Sequence, residues 1–361
     1  MAGSDPDPTV VAVVLAGGTG SRLYPASRSD RPKQFLSLLG GASLLERSVA
    51  RARRVADEVI VLTRESYADG VADRVPDAEV VVEPAGRDTG PALLYATHLI
   101  GRRYDDAVVV ALPSDHLVGE GFAPAVRRGV EVAATTDRLV TFGIEPTRPE
   151  TGYGYVEAAD AGGAVDPADA AGSADPDSDA EWYPVASFHE KPDAETAAAY
   201  VDAGHYWNAG LFAWRPEAFV AAADAPPLAP LVDALRGGDD DAVRAAVESI
   251  EPVSVDHAVL ESAAAVAVVP ASFPWDDVGA WDALDRELDA DADGNATTAG
   301  ATLRTLDAAD NVVAADDAHV SLVGVSDLAV VAWDDRVLVV PTERAQDVKR
   351  LVRLLEDRGE F

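Results

Sequence analysis

The chain contains no cysteine and only three lysines among its 361 residues. Without cysteine, neither a disulfide framework nor thiol chemistry is available to it. Acidic residues outnumber basic ones, 63 against 29, which gives a formal net charge of −34. Such a charge repels nucleic acid and anionic membranes, so we expect neither as a partner. The sequence also lacks a signal peptide and any apolar run long enough to cross a membrane, which favours a cytoplasmic protein.

The acidic residues are spread along the chain rather than gathered in one tail. Because salt screens the repulsion between them, we expect a high-salt cytoplasm as the setting. Hydrophobic residues make up 48% of the chain, which is enough to bury one large core or two smaller ones.

Apolar runs alternate with helical stretches near the start of the chain. The predicted strands cover 10–15, 58–62, 80–83 and 108–112, and the predicted helices cover 43–56, 67–74 and 90–103. This alternation is typical of an α/β fold with a mostly parallel sheet and helices on both faces. Ligands of such sheets bind beyond the carboxyl ends of the strands. We therefore expect the loops after Leu15, Glu83 and Leu112 to converge on one crevice.

A glycine-rich loop follows the first predicted strand, with Gly17, Gly18 and Gly20 inside four positions. Glycines let the backbone approach a ligand and point successive N–H groups at phosphate oxygens. Arg22 and Lys33 add two cations to the same loop. The dinucleotide-binding and Walker patterns both fail here, because leucine stands where a third glycine is needed and no lysine follows closely. The loop therefore predicts a triphosphate cradle.

Two of the three lysines, Lys33 and Lys191, lie in Pro-Lys-Gln and Glu-Lys-Pro contexts. Nearly every other basic residue is arginine, whose planar fork does not reproduce a compact ammonium charge beside a phosphate. This usage favours phosphate contacts for both lysines, and exposed loop positions without a role are the alternative.

An acidic residue, Asp115, follows the predicted strand 108–112. Mg²⁺ takes one or two carboxylates together with phosphate oxygens, so Asp115 is a candidate Mg²⁺ ligand. A turn or helix cap is the alternative role.

The run AGGTGSRLYPASRSDRPKQFL at 16–36 resembles the signature of the sugar-1-phosphate nucleotidylyltransferases, most closely the mannose-1-phosphate guanylyltransferase branch. Asp88 and Gly90 depart from the asparagine and alanine that the family has at these positions. The acidic stretch at 160–181 lies outside the resemblance and is interpreted as an insertion. Further similar segments follow in order at 87–92, 113–116, 190–192, 206–212, 254–259 and 275–281.

The resemblance implies roles for residues in these segments. It assigns catalysis to Arg22, Lys33 and Lys191, and metal binding to Asp115 and Asp277. It assigns nucleotide binding to Leu15, Ala16, Gly17, Gly18, Thr19, Gly20, Ser21, Glu83, Arg87, Thr89, Gly90 and Ser114. It assigns sugar-phosphate binding to Gly154, Glu190, Lys191, Asn208 and Asp256. Asp256 is equally suited to capping a helix, and His189 is expected to pack rather than to catalyse.

The same resemblance implies a Rossmann-like nucleotidyltransferase domain at 1–293, followed by a small left-handed β-helix-like domain at 294–361 that ends in a helix. Short β-type runs between 296 and 341 and the amphipathic stretch 343–358 agree with this. We expect these last elements to contribute to packing and to a dimer surface rather than to catalysis. The sequence leaves undecided whether the protein forms a homodimer.

The activity implied is Mg²⁺-dependent reaction of mannose 1-phosphate with GTP, which gives GDP-mannose and pyrophosphate. Glucose 1-phosphate with UTP or dTTP is the first alternative. A non-catalytic homologue that binds nucleotide-sugars is the second, and it predicts loss of at least one of the five candidate catalytic and metal-binding residues. All five are present. A hydrolase is not expected, since the chain has neither a Gly-x-Ser-x-Gly elbow nor a cysteine nucleophile.

Overall fold

The computed structural model describes residues 7–159 and 182–361. The expected insertion at 160–181 therefore lies outside the described residues. The chain divides into two compact units. The described parts of Met1–Gly17, Val49–Pro113 and Val118–Trp275 form the first, here called the sheet unit. Gly18–Ser48, Ser114–Leu117 and Asp276–Phe361 form the second, here called the β-helix unit. The predicted domain boundary after residue 293 stays a prediction.

The elements are numbered in chain order. The strands are β1 (Thr9–Leu15), β2 (Glu58–Thr63), β3 (Glu79–Val82), β4 (Ala107–Pro113), β5 (Leu117–Val118), β6 (Leu139–Ile144), β7 (Tyr155–Ala158), β8 (Tyr183–His189), β9 (Tyr206–Trp214), β10 (Val266–Ala271), β11 (Trp275–Asp276), β12 (Ala296–Thr297), β13 (Ala301–Leu306), β14 (Val312–Ala315), β15 (Ala318–Val323), β16 (Leu328–Trp333) and β17 (Arg336–Pro341). The helices are α1 (Leu44–Ala52), α2 (Ala68–Arg74), α3 (Thr89–Arg103), α4 (Phe122–Thr136), α5 (Ala194–Asp202), α6 (Pro216–Ala223), α7 (Ala229–Gly237), α8 (Asp240–Ser249), α9 (Ala283–Glu287) and α10 (Val348–Glu356).

Among the described residues, nine strands of the sheet unit form one sheet in the order β3-β2-β1-β4-β9-β6-β10-β8-β7. β1 lies parallel to β2 and β4, and β2 lies parallel to β3. β9 is antiparallel to its neighbours β4 and β6. Leu15 at the end of β1 is paired with both Leu62 and Pro113. The carboxyl ends of these strands therefore share one edge of the sheet, as the parallel arrangement predicts.

Strands β1 and β4 are almost entirely apolar and buried, as is typical of parallel strands that are covered on both faces. Val13 of β1 has no exposed surface and belongs to the same core as Trp214 of β9. Trp214 stacks on Phe219 of α6 with 4.1 Å between ring centroids, and its indole N–H donates to Thr97 Oγ1 at 3.1 Å. The indole is thereby buried without losing its hydrogen bond.

In the β-helix unit, β12, β14 and β16 pair in parallel, and β13 pairs in parallel with β15. Two buried asparagines connect successive coils. The Asn311 amide donates to Asn295 Oδ1 at 2.8 Å, and Asn311 Oδ1 accepts from the Leu328 N–H at 3.1 Å. This ladder satisfies polar groups inside a narrow core, and the arrangement confirms the β-helix-like module.

The residues that follow β1 belong to the β-helix unit as well. Leu23 and Leu36 lie in the same buried cluster as Trp281 and Val331. The Trp281 indole N–H donates to the Tyr24 carbonyl at 2.9 Å. The segment that carries Arg22 and Lys33 is thus held by a core that includes β16 and residues near α9.

Two predicted helices are shorter than expected. α1 begins after a capping box, in which the Ser43 N–H donates to Glu46 Oε2 at 2.7 Å and the Glu46 N–H donates to Ser43 Oγ at 3.3 Å, but it ends at Ala52. The stretch 343–358 is a 3₁₀ segment, Thr342–Asp347, followed by α10. Across residues 7–159 and 182–361, no helix has the length and apolarity needed to span a membrane.

Candidate active site

Leu15, Ala16 and Gly17 lie at the carboxyl edge of the sheet. The Ala16 N–H donates to the Leu62 carbonyl at 2.8 Å, and the Ala16 carbonyl accepts from Thr63 Oγ1 at 2.8 Å. Strand-like hydrogen bonds therefore continue one residue beyond β1. A Cβ added at Gly17 would lie 3.2 Å from Glu83 Oε1, so glycine permits close approach of this backbone to the Glu83 carboxylate.

Glu83 follows β3 at the same edge and has a largely buried side chain. Burial raises the pKa of its carboxyl, and Arg64 partly opposes that increase. Arg64 Nε lies 3.5 Å from Glu83 Oε1. Arg64 was not among the predicted site residues. Its position just beyond the predicted strand 58–62, at the edge where ligands bind, is the feature of the sequence that could have identified it.

Several polar groups of the loop before α3 already form hydrogen bonds within the protein. Asp88 has φ +70° and its carboxylate accepts from the Thr89 N–H at 2.7 Å. The Gly90 N–H donates to the Val253 carbonyl at 3.0 Å, and a Cβ at Gly90 would lie 2.9 Å from that oxygen. These two N–H groups at the helix start therefore already have protein partners. Thr89 Oγ1 likewise accepts from the Val255 N–H at 2.9 Å.

Arg87 is also tied down, because its guanidinium donates to the Glu248 carbonyl at 2.8 Å. The predicted nucleotide loop is thus fixed to the last turn of α8.

Asn208 and Asp256 form the centre of the predicted sugar-phosphate group. The Asn208 amide donates to Asp256 Oδ1 at 2.6 Å, and Asn208 Oδ1 accepts from Thr141 Oγ1 at 3.1 Å. Val255, not Asp256, is the N-cap residue of the π-helical turn Asp256–Leu260. Burial raises the pKa of Asp256, and the bond from Asn208 lowers it in part. The Asp256 side chain thus holds the Asn208 amide, and its role in sugar binding stays a prediction.

Gly154, Glu190 and Lys191 lie in the same sheet unit. The Gly154 carbonyl accepts from the Asn208 N–H at 2.9 Å, and a Cβ at Gly154 would be 3.6 Å from Glu190 Oε2. Lys191 Nζ is 3.2 Å from Glu190 Oε1, and both side chains are more than 60% exposed. Lys191 has φ +30°, a backbone conformation that non-glycine residues seldom adopt.

In the β-helix unit, Lys33 connects two predicted metal ligands. Lys33 is 5% exposed, its Nζ lies 2.9 Å from Asp115 Oδ2, and it donates to the Asp277 carbonyl at 2.5 Å. Burial alone would raise the pKa of Asp115, but attraction to Lys33 and His116 outweighs burial and holds the pKa below its usual value. One ammonium therefore joins the loops that carry Asp115 and Asp277 and keeps the Asp115 carboxyl ionised.

Lys33 also fixes the glycine-rich loop. Its backbone N–H donates to the Thr19 carbonyl at 3.0 Å. Gly20 has φ +68°, and a Cβ there would collide with the Lys33 side chain. Gly18 has open space around its Cβ position. Glycine is thus required at position 20 for both its backbone conformation and its packing.

Arg22 lies in the 3₁₀ turn Ser21–Leu23, and its guanidinium donates to Gln346 Oε1 at 2.9 Å. A Cβ added at Gly279 would lie 3.0 Å from Asp277 Oδ1 and 3.5 Å from Arg22 Nη1. Gly279 therefore leaves room for both side chains. Gln346, in the C-terminal 3₁₀ segment, thus holds a predicted catalytic side chain, and the expectation that the C-terminal elements serve packing and a dimer surface rather than chemistry stays a prediction. Ser114, the remaining predicted residue, is buried.

Asp276, beside Asp277, was not predicted to act, and it has a defined structural role. Its Oδ1 accepts from the Val278 N–H at 2.7 Å, and its Oδ2 accepts from Arg286 at 2.7 and 3.1 Å. Val278 has φ +46°, which is unfavourable for a β-branched residue. Asp276 thus stabilises the strained turn that presents Asp277.

We expect Asp276→Asn to lower the free energy of unfolding by about 1–3 kcal/mol, because it weakens the charge-assisted bonds that Arg286 makes to this buried side chain. Urea unfolding in concentrated KCl measures the change. The exposed neighbour Asp285 supplies the control Asp285→Asn, which should change stability little. Equal stability of the two variants would contradict the role given to Asp276.

Two cavities of about 860 and 620 Å³ lie elsewhere in the sheet unit. Neither is lined by a predicted site residue.

The first strand of the mixed sheet continues into a glycine-rich loop, and buried Lys33 contacts two aspartate-bearing loops in the β-helix unit. Both features are typical of a nucleotidyl transferase. The family model described as Nucleotidyl transferase matches residues 11–294, and the MannoseP isomerase/GMP-like beta-helix domain matches residues 304–355. The chain is 34% identical to a mannose-1-phosphate guanylyltransferase of Sinorhizobium fredii over 96% of its length and 68% of that relative. The Escherichia coli mannose-1-phosphate guanylyltransferase is also 34% identical, and the alignment covers 96% of this chain and 74% of that relative.

A crystal structure from Thermus thermophilus, described as a mannose-1-phosphate geranyltransferase, superposes with a TM-score of 0.85 at 33% identity. The alignment covers 96% of this chain and 99% of that one. The chain belongs to the mannose-1-phosphate guanylyltransferase family. The predicted family and fold class are thereby confirmed.

Proposed function

We propose that this protein makes GDP-mannose and pyrophosphate from mannose 1-phosphate and GTP. Membership of the family supports the reaction, and the observation that carries it is the double contact of Lys33 with Asp115 and the Asp277 carbonyl. A buried cation placed between two carboxylate-bearing loops is suited to a site that gathers phosphates and a divalent metal.

Asp115 and Asp277 are the residues that would hold Mg²⁺. Both offer carboxylate oxygens, the donors that Mg²⁺ prefers, and Lys33 keeps the Asp115 carboxyl ionised by lowering its pKa. When bound, Mg²⁺ neutralises phosphate charge and orients the reacting oxygens.

The reaction forms a bond between the mannose 1-phosphate oxygen and the α-phosphorus of GTP, and breaks the bond from that phosphorus to the pyrophosphate oxygen. In-line displacement needs no covalent enzyme intermediate, so positioning and charge stabilisation supply the catalysis. We assign charge stabilisation on the departing pyrophosphate to Arg22 and Lys33. The N–H groups of Gly18, Thr19 and Gly20 would bind the triphosphate.

The sugar phosphate is proposed to bind the residues around Asn208. Because one amide N–H of Asn208 binds Asp256 and its oxygen accepts from Thr141, the amide orientation is fixed and one N–H stays available for a sugar hydroxyl. Glu190 adds an exposed carboxylate for hydroxyl groups. Lys191 adds the ammonium for the attacking phosphate.

The nucleotide is proposed to contact the carboxyl edge of the sheet at Leu15–Gly17 and Glu83. The remaining proposed nucleotide contacts are Ser21, Arg87, Thr89, Gly90 and Ser114. Because the N–H groups of Thr89 and Gly90 already have protein partners, contacts there would come from other atoms of the loop.

Release of pyrophosphate in concentrated KCl with Mg²⁺ tests the proposal when mannose 1-phosphate and glucose 1-phosphate are crossed against GTP, UTP, dTTP and ATP. Strong preference for mannose 1-phosphate with GTP is expected. Release with another pair of substrates would assign a different substrate specificity within the same reaction class. A folded protein that releases none with any pair would refute the proposal and favour a regulatory homologue.

Lys191→Arg is expected to raise KM for the sugar phosphate about tenfold with little change in kcat. Loss of one charge-assisted hydrogen bond worth about 1.5 kcal/mol has this effect, since the guanidinium fork does not reproduce the ammonium geometry. Steady-state kinetics measure it, with Lys349→Arg on the exposed side of α10 as the control. An unchanged KM would remove Lys191 from the sugar-phosphate site.

We extend the proposal to assembly as a homodimer. Leu306, Val323, Val337 and Val339 of the β-helix unit are each 57–70% exposed, and exposed apolar side chains favour association. Light scattering after gel filtration in concentrated KCl tests this, and a monomeric mass would reject it.

A further inference from the structure

Glu157, His189 and His205 form a cluster that the proposed reaction does not use. They lie at the ends of β7 and β8 and immediately before β9. One nitrogen or carboxylate oxygen from each lies within 4.8 Å of the others. Among residues 7–159 and 182–361, this is the one group of three acidic or histidine side chains that meets so closely.

The spacing of the cluster suits a metal ion. His189 Nε2 is 3.5 Å from Glu157 Oε2. Ligands held about 2.1 Å from a tetrahedral ion are separated by about 3.4 Å, so this pair requires almost no movement. The two imidazole centroids are 5.3 Å apart with an angle of 27° between the planes, and the ligand atom of His205 lies within 4.8 Å of the other two. Coordination by all three therefore requires a rotation of the His205 ring toward the other pair.

Neighbouring groups hold the cluster in place. Tyr200 stacks on both imidazoles, with centroids 4.5 Å from His189 and 4.8 Å from His205. Ser187 Oγ donates to Glu157 Oε2 at 2.6 Å and lies 2.9 Å from His189 Nε2. The hydroxyl thus links the two atoms that an ion would contact, and it must turn aside when an ion binds them. All three ligand side chains are partly exposed, which gives an ion access from solvent.

We propose that Glu157, His189 and His205 bind one divalent transition-metal ion such as Zn²⁺, Co²⁺ or Ni²⁺. Two imidazoles and one carboxylate leave a coordination position for water and select these ions over Mg²⁺. The expectation that His189 only packs is thereby replaced by a ligand role. The segment that His189 fixes continues directly into Glu190 and Lys191.

Co²⁺ titration of the full-length, chelator-treated protein tests the proposal. The titration is run in concentrated KCl with excess Mg²⁺, which screens the acidic surface and fills oxygen-rich sites. We expect one equivalent of Co²⁺ per chain, with visible d–d absorption, displaced by Zn²⁺. These readouts do not require enzymatic activity, so the outcome is independent of the proposed reaction.

Each single ligand substitution should weaken Co²⁺ binding by at least about tenfold, and the three are His189→Gln, His205→Gln and Glu157→Gln. Removal of an outer partner of a metal ligand already causes a loss of this size. The control is His257→Gln, since His257 Nδ1 lies 2.8 Å from Glu261 Oε2 in a two-residue pair. Its affinity should be unchanged. Circular dichroism without metal checks the fold of each variant. Absence of one-equivalent binding, or binding that survives the first two substitutions combined, would overturn the proposal.

Discussion

Asp277→Asn is expected to lower kcat about 100- to 1,000-fold, the loss typical of removing one preorganised group that stabilises transition-state charge. The substitution keeps the size of the side chain but removes the negative charge that a divalent metal needs. The Asp277 carbonyl still accepts from Lys33 and Asp276 still supports the Val278 turn. The fold and the backbone of the loop should therefore persist.

The measurement is pyrophosphate release at saturating GTP and mannose 1-phosphate over a range of Mg²⁺ concentrations. Asp285→Asn removes the same charge from an exposed position eight residues further along and should retain full activity. Unfolding midpoints close to wild type would separate a catalytic defect from misfolding. More than half of wild-type kcat in Asp277→Asn, at any Mg²⁺ concentration, would exclude a metal role for this carboxylate.

Local patterns in the sequence predicted much of the sheet and selected Lys33 and Asp115 as candidates, whereas Asp277 came from the family resemblance. The apolar runs identified β1, β2 and β4 because strands buried on both faces carry no polar alternation, and they identified β3 although it is a partly exposed edge strand. The predicted strands do not include β6 and β10, since a short apolar run cannot be separated from a buried helix by periodicity alone. Lys33 was identified by its rarity and its neighbours rather than by its burial.

Contacts between distant parts of the chain could not be predicted in the same way. The bond from Arg22 to Gln346 joins positions 324 residues apart, and no local pattern marks a glutamine for that role. Asp276 and Asp277 are adjacent and chemically identical, yet only Asp276 is bound by Arg286. The N–H of Gly90, a predicted nucleotide-binding residue, already donates to the Val253 carbonyl. Tertiary packing determines which of these groups form hydrogen bonds and with which partners, and a local sequence pattern does not reveal it.

Lys33→Met is the second substitution with a large expected effect, a fall in kcat of about 100- to 1,000-fold. Methionine keeps the length and apolar character of the side chain, so the packing against Gly20 is largely retained. It removes the ammonium that contacts Asp115 and the Asp277 carbonyl. In the proposed reaction it also removes charge stabilisation from the departing pyrophosphate. Lys349→Met, in the exposed face of α10, removes the same charge without these contacts and should leave kcat unchanged.

The same pair of variants gives a test in the metal-free protein. In the wild type, Lys33 holds the pKa of Asp115 below its usual value against the effect of burial. The ionised Asp115 carboxylate therefore stabilises the fold at pH values above the pKa that it has in the unfolded chain. This stabilisation is lost as the pH falls through the lowered pKa of the folded protein. Without Lys33, burial is expected to raise the pKa of Asp115, and ionisation of that carboxyl then opposes folding as pH rises. The difference in free energy of unfolding between wild type and Lys33→Met should therefore grow from about pH 3 to about pH 6. Chemical unfolding in concentrated KCl at several pH values measures this difference, with Lys349→Met as the reference. A difference that does not change with pH would mean that Lys33 does not control the ionisation of Asp115.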